Sequence, residues 1–123
     1  MVRIMKKIIL SCLVALSAFA NELSYEAIMA KVGKEAMVLE IGASTCRACK
    51  KMKIIINEVK YSKPDLPVYV IDVRENKEVA QKFKIQMIPT QVVLDAAGNE
   101  VHRHIGGISQ EELLEFVSKA QGR

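Results

Sequence analysis

Residues 36–62 run from a short apolar segment, AMVLEIG, through AST into a C-x-x-C pair and on into a helical pattern, with no spacer between them. This junction narrows the possible folds more than any other feature of the chain. An apolar run of that length reads as a buried strand. From Cys46 to Lys60, the residues Cys49, Met52, Ile56 and Val59 recur at three- and four-residue spacing, with lysines mostly opposite, which predicts an amphipathic helix. Pro64 and Pro67 close that helix and open VYVIDV, a second strand pattern. Two strands joined through a helix are expected to lie parallel, with a right-handed crossover.

The rest of the chain fills in around this unit. Ser24 can cap a short helix, SYEAIMAKV, which Gly33 would end. Asn76 can cap KEVAQKF. TQVVLD and EVHRHIG flank AAGN and read as a hairpin with a glycine-containing turn. Ser109 and Glu112 form a capping box ahead of ELLEFVSKAQ, the last helix. The order α-βαβ-α-ββ-α predicts an α/β fold with a mixed four-stranded sheet and helices on both faces.

The N-terminus follows different rules. MVRIMKK carries Arg3, Lys6 and Lys7, the apolar run IILSCLVALSAF follows, and Ala18-Phe19-Ala20 matches a small-x-small cleavage site, the pattern of a secretory signal peptide over residues 1–20. An uncleaved anchor and lipoprotein processing at Cys12 are the alternatives, although the apolar run is short for a membrane span. Cleavage would leave residues 21–123 as one domain, periplasmic or secreted, with chain enough for one core. Three basic residues and no acidic one would leave with the leader, so the net charge of +4 would fall to +1. No basic tract interleaved with aromatics remains, and nucleic acid is not expected as a partner.

Loss of the leader also removes Cys12 and leaves Cys46 and Cys49. One closely spaced pair is not a disulfide scaffold. A permanent staple between residues so near in sequence would remove little chain entropy. Zinc would need two more ligands, for which His102 and His104 are the nitrogen donors available; they are expected to share a solvated face of the second hairpin strand. Dithiol exchange fits better. Cys46 falls at a helix N-terminus, where unpaired N–H groups and the helix dipole favour a thiolate, and Arg47 adds positive charge. Lys50 falls on the same helix face, whereas Lys51 and Lys53 read as solvated. Cys49, one turn inside, is shielded and suited to resolving a mixed disulfide.

Ile88-Pro89-Thr90 stands immediately before a strand, and a proline there marks an irregular turn. With the strand-CxxC-helix unit upstream, residues 24–121 resemble the thioredoxin superfamily. EIGASTCRACK and IPTQVVLDAAGNE look most like its small exported members. The resemblance implies a cis Pro89 facing the cysteines, with the backbone of Ile88 pairing with a peptide substrate; Arg47 is counted with them on the substrate side. It implies a protein disulfide or dithiol substrate, no cofactor or metal, a monomer, and a membrane thiol transporter of the cytochrome c maturation type as electron donor. Apocytochrome cysteines and damaged disulfides would then be candidate substrates. Glu40 occupies the place of thioredoxin's buried aspartate, where a carboxyl of raised pKa could move the proton of Cys49.

Departures from the thioredoxin pattern bear on direction. Thr45 replaces a tryptophan, Arg47-Ala48 replaces Gly-Pro, and Ile54 replaces a helix-kinking proline. Strong oxidants of the superfamily usually carry histidine before the second cysteine; Ala48 there favours a disulfide reductase, while Arg47 pulls the other way. An exported oxidase or isomerase is one alternative. A Cu(I)-binding module using the same cysteines, with Met52 or Met87, is another.

Overall fold

A computed structural model of the protein describes residues 22–123. The expected leader at 1–20 and Cys12 lie outside the described residues. The elements run α1 (Tyr25–Lys31), β1 (Met37–Gly42), α2 (Arg47–Ser62), β2 (Val68–Asp72), α3 (Glu78–Lys82), β3 (Thr90–Leu94), β4 (Glu100–Ile105) and α4 (Gln110–Ala120). This is the expected order. The sheet has four strands in the order β2-β1-β3-β4, with β1 parallel to β2 and antiparallel to β3, and β4 antiparallel to β3.

Side chains alternate along a strand, so β1 sorts its residues between two layers. Met37, Leu39 and Ile41 join Ile28 of α1, Ile71, Val79 of α3, Val92 and Leu94 in one apolar cluster. Val38 points the other way and packs with Met52, Ile56 and Val59 of α2 and with Leu113, Phe116 and Val117 of α4. Every residue of β1 is buried, as a central strand covered on both faces requires.

Local signals close the helices largely as read. The Ser24 hydroxyl accepts from the Ala27 amide, and Ser109 accepts from the Glu112 amide. Two expectations are corrected. Asn76 does not cap α3: its side-chain amide donates to the Asp72 carbonyl, and Lys77 precedes the helix without a side-chain cap. His102 and His104 share a strand face, but it is only partly solvated. Both are half-buried beneath α4, and His102 sets its ring edge-on to Phe116 with centroids 4.7 Å apart.

Candidate active site

Cys46 is the N-cap of α2. Its backbone is extended, and its Sγ accepts from the Cys49 amide at 3.3 Å. The first turn of α2 holds no acidic side chain, so the helix itself supplies no charge against the positive end of its dipole. The Cys46 thiol is held below its ordinary pKa by the hydrogen bond with the Cys49 side chain and by the backbone amides of Cys49 and Ala48, against opposing burial and the charge of Glu40. The Arg47 guanidinium is exposed and forms no ion pair or side-chain hydrogen bond with the described residues; the donors that lower the Cys46 pKa are the local N–H and S–H groups.

Cys49 lies one turn deeper and is only 9% exposed. Burial, then the hydrogen bond to Cys46 and the negative charges of Cys46 and Glu40, push its thiol up to about 11. Both thiols are free. The close approach of Cys49 to β1 depends on Gly42: a Cβ at that position would sit 2.8 Å from Cys49 Sγ and 3.1 Å from its Cβ.

Glu40 is two residues before Gly42 and therefore on the same sheet face as Cys49. It is 2% exposed. Burial pushes its carboxyl up to about 7, with the Gln91 hydrogen bond acting in the opposite sense. Gln91 stands directly across from Glu40 in the β1–β3 ladder, and its Nε2 donates to Glu40 Oε2 at 2.9 Å. The same nitrogen donates to the Gly106 carbonyl at 3.0 Å, and Gln91 Oε1 meets His104 Nδ1 at 2.9 Å. Glu40 Oε1 is buried and has no hydrogen-bond partner among the described residues.

The substrate-side residues come to the same end of the sheet. Ile41 pairs with Thr90, so continuing the antiparallel register sets Pro89 beside Gly42 and hence near Cys49. The Ile88–Pro89 peptide bond is cis. Ile88 is half-buried, and no described residue engages its backbone N–H or C=O, which leaves both open to an added strand. Met87 beside it is 62% exposed. Met52, weighed as a soft-metal ligand, is buried, and its Sδ accepts from the Ile108 amide.

Sequence reasoning missed three contributors. Gln91 was read only as part of a hairpin strand and of the IPTQ stretch, with no role of its own, and Gly42 as the end of an apolar strand. Asp72 was not singled out, yet its carboxylate accepts from the Ser44 amide at 3.1 Å and the Arg74 amide at 2.7 Å, tying the loop before Cys46 to the end of β2. A glutamine within a β-branched run on a central strand was the available signal for a buried polar partner.

The sequence profile of the family described as Thioredoxin matches residues 17–119. A thioredoxin from Bacillus subtilis is 32% identical over 91 residues, covering 73% of this chain and 86% of that protein. A protein disulfide-isomerase from Datisca glomerata is 31% identical over 99 residues, covering 78% of this chain but only 19% of its own length. Among solved structures, a thioredoxin from Nicotiana alata superposes with a TM-score of 0.64 at 31% identity, over 76% of this chain and 80% of that one.

Proposed function

The chain belongs to the thioredoxin family of thiol–disulfide oxidoreductases, and we propose that it works there as an exported disulfide reductase. The observation that carries the mechanism is the asymmetry between the two sulfurs: Cys46 is the less buried and its pKa is lowered by local donors, while Cys49 is buried with its thiol pushed up to about 11. The Cys46 thiolate attacks one sulfur of a substrate disulfide. A Cys46–substrate disulfide forms and one substrate thiolate leaves. Cys49 then gives its proton to the Glu40 carboxylate and attacks Cys46 Sγ, expelling the second substrate thiolate. Two electrons have passed to the substrate, and the protein holds a Cys46–Cys49 disulfide. Ile88 and Pro89 seat the substrate backbone, and Arg47 faces it from the helix side.

Turnover needs a dithiol donor to reduce that disulfide. In an exported protein the donor is a membrane thiol carrier, because glutathione does not poise the periplasm. The basic-apolar-small pattern of residues 1–20 supports export, and a mass for the exported protein that begins at Asn21 is the expected result. Ala48 in place of a histidine supports the reducing direction. We expect a monomer.

The deciding experiment equilibrates the Cys46–Cys49 pair against glutathione or dithiothreitol buffers. A potential close to the roughly −270 mV typical of thioredoxin supports a reductase, whereas one near the about −180 to −120 mV of isomerases and oxidants reverses the direction. A pair that never equilibrates would put Cu(I) binding first.

A further inference from the structure

The buried polar chain that crosses three strands does more than satisfy Glu40. Gln91 is 0% exposed and uses its whole amide: both N–H groups donate, to Glu40 Oε2 and the Gly106 carbonyl, and its oxygen faces His104. The orientation is fixed by chemistry. A backbone carbonyl can only accept, so the Gln91 NH₂ group must face Gly106. Its Oε1 therefore faces His104, whose Nδ1 must carry a hydrogen. Glu40 Oε2 is then occupied by a donor in either protonation state, and the proton of a neutral Glu40 resides on Oε1, the oxygen with no partner among the described residues.

We propose that Gln91 is a positioning residue: keyed by the Gly106 carbonyl and His104, its amide reserves Glu40 Oε1 for the proton exchanged with Cys49. This rests on the reading of Glu40 as the acceptor of the Cys49 proton. His104 is the half-buried outer member of the chain and holds the glutamine from the β4 side. The titratable groups around Glu40 are the two thiols of α2 and, through Gln91, His104 on β4, with His102 and Lys119 beyond. A donor on Oε2 favours the carboxylate; without it, burial is unopposed and the carboxyl holds its proton to higher pH.

The test follows the Glu40 titration by carbon-13 NMR of the labelled carboxyl, together with the pH profile for resolution of a preformed Cys46–peptide disulfide. Gln91→Met is expected to raise the Glu40 midpoint. A rise of about one unit from about 7 lowers the ionised fraction at pH 7, and with it the resolution rate, by about fivefold. His104→Gln keeps a donor for Gln91 and is expected to retain the wild-type profile, while His104→Phe shifts it in the same direction as Gln91→Met by a smaller amount. A purely structural role would lower the melting temperature and leave both midpoints in place. A folded Gln91→Met with unchanged midpoint and rate overturns the proposal. Should that variant not fold, identical profiles for His104→Gln and His104→Phe overturn it. Glu40→Gln separates the layers: unchanged resolution removes the proton-acceptor reading itself, while slowed resolution with a silent Gln91→Met removes only the positioning role.

Discussion

The two faces of the central sheet are built to different standards. The face toward α1 and α3 is apolar along β1, from Met37 through Leu39 to Ile41. The face toward α2 and α4 is apolar at one end, around Val38, and polar at the other, where Glu40, Gln91 and His104 lie behind the cysteines. One strand supplies both by alternation. The apolar layer is optimised for burial. The polar layer gives up stability to keep an ionisable carboxyl out of water, as the proposed proton exchange with Cys49 requires.

The largest expected effect is on the apolar face. Leu39 is fully buried, so Leu39→Ala should cost about 2–5 kcal/mol. In the folded protein, thiol exchange should be unchanged. Denaturant unfolding beside an insulin-reduction assay checks both halves; a specific loss of activity in folded Leu39→Ala would break the division of labour between the faces.

Glu40 should behave in the opposite way. Its folded pKa of about 7 lies above the unfolded value of about 4.5, so the folded state binds the proton more tightly. The associated stability is fully present below about pH 4.5 and is lost as pH rises to about 7, by an amount on the order of 3 kcal/mol. Glu40→Gln should flatten that part of the pH–stability curve. Parallel curves for wild type and variant between pH 4.5 and 7 would mean that Glu40 is not held in the buried state seen here.

Next in size is Gly42→Ala. The added Cβ would collide with Cys49, an overpacking that typically costs about 1–3 kcal/mol. Relaxation must move Cys49 or β1, so the variant should also resolve mixed disulfides more slowly, accumulating the trapped species on a non-reducing gel. An unchanged resolution rate would show that the thiol tolerates displacement.

How much of this could be read from sequence depends on range. Ser24 and Ser109 announced their helices because capping acts over a few residues. Cys49, Met52, Ile56 and Val59 marked the buried side of α2 because helical period is local. The mixed sheet followed from the order of its elements. Gln91 was different. Its partner Glu40 is 51 residues away, and only the β1–β3 register brings them together. Asn76 had the right residue type for a cap, but the nearby Asp72 carbonyl offered its amide another acceptor. The histidines were placed on the correct strand face, yet whether that face met water depended on where α4 settled.

Those histidines give the smallest and sharpest test. His102 and His104 stand two residues apart on one face of β4, and both lie near Phe116, but only His104 hydrogen-bonds to Gln91. His102 belongs to the packed end of that face, where its edge contact with Phe116 is expected to contribute about 1 kcal/mol. His102→Ala should therefore lower stability slightly and leave the pH profile of mixed-disulfide resolution where it was. If His102→Ala moves that profile, the polar region extends past Gln91 and His104 into the core under α4, and the boundary drawn across this face lies in the wrong place.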